Sequence, residues 1–221
     1  MIDWPKITSD DAYNRLAKQL RKTVASRRDR AFIATLTRWW HNYQAEPITL
    51  VEVGTKQGLF AREILLACPF VDLLIAVDRW AEYPADHPDR MQFGYARRPQ
   101  ASWDELEAKA RKVLEPWESS KPSRCEIWDC SSLHAAAYAA EKVLPDVVFL
   151  DAGHSYEDVT NDCTEWWQAI PSGGLLCADD YHPVGHPGRE KTGVSQALED
   201  FAASCGLPYF HLHRTFYMEV P

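Results

Sequence analysis

From residue 48 onward, short apolar runs alternate with longer amphipathic stretches, and this alternation narrows the possible folds more than any other feature of the chain. The runs are ITLVEVG (48–54), LLIAVD (73–78), CEIWDC (125–130), DVVFLD (146–151) and GLLCADD (174–180). Their near-continuous apolar character marks strands covered on both faces of a parallel sheet. Between them the pattern predicts helices at about 58–67, 102–115, 132–142 and 156–170, with another at about 194–204. Two last runs, YFHLHR and TFYMEV, leave no room for a crossover helix and are expected to form an antiparallel hairpin. The expected class is α/β: a doubly wound, mostly parallel sheet edged by a C-terminal antiparallel hairpin.

Two helices are expected ahead of this block. Tyr13, Leu16, Leu20 and Val24 recur at three- and four-residue steps with Ser9 placed as a cap, and Phe32, Ile33, Leu36, Trp39, Trp40 and Tyr43 come next, before Pro47. The chain therefore reads as a helical extension over 1–46 packed on a domain over 47–221. Aromatic helices of this kind cover a sheet or meet a second subunit, which leaves a homo-oligomer through them open. Residues 1–46 hold 9 Lys and Arg against 5 Asp and Glu, leaving 15 against 27 for the rest of a chain of net charge −8. We read Arg15, Lys18, Arg21, Lys22, Arg27 and Arg28 as solvated rather than as an arm for nucleic acid.

No apolar run approaches the ~18 to 20 residues of a membrane span, and MIDWPKITSDD has no stretch of signal-peptide length. The expectation is a cytoplasmic protein with no membrane contact. Cys68, Cys125, Cys130, Cys163, Cys177 and Cys205 are scattered without a CxxC pair, so reduced thiols are expected rather than a zinc site or disulfides. Residues 80–100, with Pro84, Pro88 and Pro99, lack periodicity and exceed an ordinary connection, as a lid or substrate loop would.

In an open parallel sheet, ligands bind beyond the carboxyl ends of the strands. Those ends are acidic here, with Glu52, Asp78, Asp151, Asp179 and Asp180, and clustered like charges repel unless a cation or ligand neutralises them. After the first strand comes Gly54-Thr55-Lys56-Gln57-Gly58, an ExGxxxG pattern in which Lys56 replaces the middle glycine of a dinucleotide fingerprint. Asp78 ends the next strand, where a carboxylate accepts both hydroxyls of a ribose. Together these features indicate an adenosine-containing cofactor. Asp151 and Asp179 end strands expected to be neighbours, ~4.8 Å apart, so with Asp180 they suit one Mg²⁺ ion. His154, at the same rim, is a general-base candidate or a contact to the helix after it. An NAD-dependent oxidoreductase, disfavoured by Lys56, and a non-catalytic nucleotide-binding module are the alternatives.

The ExGxxxG turn, Asp78, and the block from DVVFLDAGHSYEDV through IPSGGLLCADDYHPVG to GVSQALEDF resemble class I S-adenosylmethionine-dependent methyltransferases. The nearest group is the metal-dependent macrolide-sugar and small-molecule O-methyltransferases. The resemblance covers about residues 48–205. It implies a Rossmann-like domain that binds S-adenosyl-L-methionine, with Glu52, Gly54 and Gly58, and Thr55 in the same turn, around the methionine part. Asp78 would hold the ribose, and Asp129, Cys130 and Ser131 would border the adenine. Asp151, Asp179 and Asp180 would bind the metal, and His154 would be the base beside Asp151. His182 and His186 would shape the acceptor pocket, with Lys56 and Arg79 solvated or at the cofactor rim. The implied reaction is Mg²⁺-dependent methylation of a small-molecule hydroxyl, sugar or phenolic. The D/N-P-P-Y/F motif of nucleic-acid amino-methyltransferases is replaced by Asp151-Ala152-Gly153-His154.

Overall fold

A computed structural model describes residues 2–9, 11–44, 46–183 and 193–221; His186 lies outside them. The central strand is β1 (Ile48–Val53), hydrogen-bonded in parallel to β2 (Val71–Asp78) on one side and β4 (Val147–Leu150) on the other. Pairing on both edges and cover on both faces explain why these segments are almost wholly apolar. β3 (Cys125–Asp129) extends the sheet beyond β2, and β5 (Leu175–Ala178) extends it beyond β4. β7 (Thr215–Glu219) then runs antiparallel to β5, and β6 (Phe210–Leu212) forms the edge. The order is 3-2-1-4-5-7-6, the doubly wound sheet with its antiparallel hairpin.

Strand register decides what the rim presents. Val53 lies opposite both Val77 and Leu150, and Leu150 lies opposite Ala178. The next residue on each strand therefore falls on one level: Gly54, Asp78, Asp151 and Asp179. Because β7 is antiparallel, with Phe216 opposite Ala178, the residues just before it arrive at the same rim, and Arg214 is among them.

One face of the sheet is covered by α7 (Ser132–Lys142), α8 (Tyr156–Ala169) and α9 (Gly193–Cys205), all close to the positions expected from periodicity. The other carries α4 (Leu59–Ala67), α6 (Gln100–Glu118) and the N-terminal helices. α4 and α6 lie where helices were expected, but the N-terminal helices differ from expectation. The chain is already helical over α1 (Trp4–Ser9), and the Ser9 hydroxyl donates to the Pro5 carbonyl at 2.5 Å instead of capping the second helix. That helix, α2 (Asp11–Leu20), carries Tyr13, Leu16 and Leu20, whereas Val24 falls in the turn after it. α3 (Arg27–Trp39) begins at Ser26, whose hydroxyl accepts from the Asp29 N–H at 3.2 Å, and it ends in a π-helical turn over Trp40–Gln44.

α3 is a core element. Phe32 is fully buried, with its ring 4.8 Å from Phe149, 5.4 Å from Phe60 and 6.1 Å from Tyr217, so three other elements close on it. Trp39 is buried in the same cluster, and Trp40 stacks on Phe70 at 4.5 Å. Phe32, Trp39 and Trp40 thus pack within their own chain, whereas Tyr43 is exposed. α1 reaches the last strands: Trp4 stacks on Phe210 at 5.5 Å, and the Ile2 N–H donates to Glu219 at 2.9 Å. Residues 80–100 contain α5 (Pro88–Gln92) and a 3₁₀ turn over Gly94–Arg97. Trp80 and Trp103 anchor this segment on α6, with Tyr83 and Tyr95 packed alongside.

If α3 is part of the core, Phe32→Ala should lower stability by about 3–5 kcal/mol in urea unfolding, the usual cost of deleting a buried aromatic ring. A loss under about 1 kcal/mol would mean that α3 merely lies on the surface.

Candidate active site

The rim opens into a cavity of about 580 Å³, within the usual range for small-molecule and cofactor sites. One end is built by the β1–α4 turn and the tip of β2. Gly54 has φ +96°, and a Cβ there would sit 2.1 Å from the Asp151 carbonyl oxygen, so only glycine lets the turn pass this close to β4. Asp78 lies across from it and accepts the Lys56 N–H at 2.8 Å and the Trp80 N–H at 3.0 Å. Burial raises its carboxyl above the ordinary value, while these N–H groups work the other way. A carboxylate oxygen has two acceptor positions, so each still has one for a ligand hydroxyl.

Not every expected cofactor residue faces this space. Gly54, Asp78, Cys130 and Ser131 line the cavity, as do Lys56 and Arg79. Glu52 and Thr55 are buried behind the turn, where the Thr55 hydroxyl donates to Glu52 at 3.0 Å. Gly58, at φ +71°, starts α4 against Leu114. Asp129 ends β3 exposed and outside the lining, and His182 is buried with its N–H donating to Ser195 at 2.9 Å.

Asp151, Asp179 and Asp180 converge as the strand register requires, but the charge between them belongs to the protein. Arg28, expected on a solvated face, instead turns inward from the first turn of α3. Its Nη1 donates to Asp151 Oδ2 at 2.9 Å and also to Asp179 Oδ2, while its Nε donates to Asp29 at 2.6 Å. The guanidinium lies 5.0 Å from the Phe60 ring and 5.8 Å from Phe149. Arg214 adds a second cation, 2.9 Å from Asp179 and 3.2 Å from Asp180. Burial tends to discharge Arg28, yet Asp179, Asp151 and Asp29 outweigh it and hold it charged. Burial and the adjacent Asp179 raise the Asp151 carboxyl, against the pull of Arg28.

Where the sequence suggested a divalent ion among Asp151, Asp179 and Asp180, the structure has Arg28 against two of them. Asp151, His154 and Asp180 do bring candidate ligand atoms within 4.8 Å of one another, but Arg28 already holds the Oδ2 atoms of both Asp151 and Asp179. A dication between those oxygens would sit against a fixed positive charge. Asp179 Oδ1, by contrast, is buried without a hydrogen-bond partner among the described residues.

His154 has both ring nitrogens engaged. Nε2 meets Asp180 Oδ2 at 2.8 Å, and Nδ1 meets the Tyr95 hydroxyl at 2.5 Å. Asp89 ties this corner together, taking the Tyr95 hydroxyl at 3.0 Å and the His154 backbone N–H at 2.8 Å. Burial disfavours the imidazolium, but Asp180, Asp151 and Asp89 outweigh it, so His154 titrates above the ordinary histidine value. The His154 hydrogen bond, with Arg214 nearby, holds Asp180 below the usual carboxylate range despite burial. Tyr95, Asp89, Arg28 and Arg214 were not singled out for the site by sequence reasoning. Arg28 looks like its basic neighbours along the chain, and only the fold distinguishes it.

A family model described as a methyltransferase domain matches residues 51–181. Solved structures share the fold at low identity. The O-methyltransferase NovP is 14% identical, with 94% of this chain and 78% of that one covered and a TM-score of 0.54. The calicheamicin methyltransferase CalS11 is 12% identical over 99% and 97%, with a TM-score of 0.57. The methyltransferase PaMTH1 of Podospora anserina, solved with S-adenosylhomocysteine, is 11% identical over 96% and 88%, also with a TM-score of 0.57. No curated protein matches the chain.

The buried acids give stability a definite pH dependence. Burial pushes Glu52 up to about 8 and Asp162 up to about 7. In the unfolded chain both release their protons near pH 4 to 4.5, so above that range the folded state holds more protons. Stability should therefore fall as pH rises from about 4.5 toward 8, by at most ~1.4 kcal/mol per pH unit for each such group. Thermal unfolding should show a higher midpoint at about pH 5.5 than at about pH 8, and Glu52→Gln should flatten that slope. An unchanged slope in the variant would mean that Glu52 is ionised in the folded protein.

Proposed function

The chain belongs to a methyltransferase-domain family, and from that premise we propose that it transfers a methyl group from S-adenosylmethionine to a hydroxyl of a small molecule, sugar or phenolic. The observation that carries this reading is that Asp78, suited to a ribose, and His154, suited to a proton, line one cavity. The likeness to NovP and CalS11, the latter described as a TDP-rhamnose 3'-O-methyltransferase, supports oxygen as the acceptor atom. The six free cysteines fit a reducing cytoplasmic setting, and among the described residues no helix is long and apolar enough to cross a membrane.

Asp78 would hold the ribose hydroxyls through its unused acceptor positions, with Gly54 allowing the cofactor close to the backbone and Cys130 and Ser131 bordering the base. When bound, S-adenosylmethionine supplies an electrophilic methyl: its carbon–sulfur bond breaks with the electron pair kept by sulfur as a carbon–oxygen bond forms. His154 takes the proton that the acceptor hydroxyl loses. It does so at Nδ1, where the acceptor replaces the Tyr95 hydroxyl, while Asp180 stays on Nε2 and stabilises the imidazolium. The divalent ion expected from sequence has no part in this reading.

Calorimetry with S-adenosylhomocysteine tests the cofactor assignment: Asp78→Ala should weaken binding by about 2–4 kcal/mol, through loss of two hydrogen bonds to a charged group. Native affinity in that variant would remove Asp78 from the site. With an acceptor found by screening sugar and phenolic alcohols for S-adenosylhomocysteine release, His154→Ala should lose ~10² to 10⁴ in turnover. The native rate should rise with pH through a midpoint above the ordinary histidine value of about 6.5, because the neutral ring is the base. Turnover within about threefold of native in the variant would exclude His154 as the base.

A further inference from the structure

We propose that Arg28 is the resident cation of the acidic rim and makes the site complete without a divalent metal; this deepens the methyl-transfer reading and rests on it. Two strands that end side by side deliver Asp151 and Asp179 to one point, and that pair requires a positive charge. A single nitrogen of Arg28 meets it, donating to both Oδ2 atoms.

Three observations indicate a built-in group rather than a side chain resting in a vacant place. Arg28 is fixed along its length, with Nε on Asp29 and the guanidinium packed against Phe60 and Phe149. It projects from the first turn of α3, the helix that carries Phe32 and Trp39 into the core, so its backbone is held where the side chain reaches the rim. Most of the oxygens a metal would need are also engaged: Arg214 shares Asp179 Oδ2 and approaches Asp180 Oδ1, and His154 holds Asp180 Oδ2, while Asp179 Oδ1 is buried without a partner among the described residues. Mg²⁺ and Mn²⁺ demand an octahedron of oxygens at close range, and here guanidinium groups already contact Asp151 Oδ2, Asp179 Oδ2 and Asp180 Oδ1.

The experiment measures Mn²⁺ uptake by electron paramagnetic resonance, with and without S-adenosylhomocysteine, and needs no acceptor. Native protein should leave the free-ion signal unchanged at about 1 mM Mn²⁺, the weak limit of carboxylate cation sites. Arg28→Met keeps the length and apolar stem of the side chain but removes the charge; it should bind one Mn²⁺ at least about tenfold more tightly than native, and adding Asp179→Asn should abolish that binding. The proposal is overturned if native protein takes up one equivalent of Mn²⁺ that Asp179→Asn removes, or if a natively folded Arg28→Met, judged by circular dichroism, binds no more than native. The native measurement decides the matter alone if the variant does not fold. Calorimetry on the same native sample separates the two readings: no S-adenosylhomocysteine binding defeats the methyl-transfer assignment, whatever Mn²⁺ does.

Discussion

Parallel strands in register deliver their next residues to a common level, and in this protein that level carries two aspartates in contact distance of one guanidinium. Ionised carboxylates so close, one of them only 2% exposed, repel strongly in a medium that screens poorly. The rim as a whole can be understood from that constraint. Arg28 and Arg214 enter from segments far apart in the chain, Asp151 is drawn toward its neutral form, and Asp180 takes both Arg214 and His154. Glu52, on β1 behind the Gly54 turn, lies beside the same charges, and burial pushes its carboxyl up to about 8.

The strands, their parallel order and the terminal hairpin were legible in the sequence because burial on both faces forces continuous apolar runs, and because helices between them repeat at fixed steps. Asp78, Asp151, Asp179 and His154 were legible for a related reason: position at the end of a strand is position at the rim. What the sequence hid was the side of a helix. Arg27 and Arg28 are adjacent and chemically alike, and only the packing of Phe32 against Phe60 and Phe149 decides which of them turns inward. Asp129 illustrates the opposite failure: it ends a strand like the others, but at the sheet's outer edge, where the level is right and the cavity is not.

Residues 80–100 resisted periodicity because they contain one five-residue helix and one 3₁₀ turn, too short to repeat. Their order comes from aromatic contacts instead. Tyr83 lies 6.1 Å from Trp103 and 6.2 Å from Tyr95, which places the Tyr95 hydroxyl on His154. The segment expected to act as a substrate loop therefore does contribute to the cavity wall, through a hydroxyl that stands where an acceptor hydroxyl is proposed to stand.

Trp4 against Phe210, and Ile2 on Glu219, join the earliest described residues to the last two strands. A ribosome makes these partners some two hundred residues apart in time, so α1 can meet α2 and α3 early but has no β6 or β7 to cover until much later. The same delay applies to the rim, since Arg214 is made after Arg28, Asp151, Asp179 and Asp180. Until Arg214 exists, Asp179 and Asp180 have, among the described residues, only Arg28 and His154 within ion-pair distance to set against their charge.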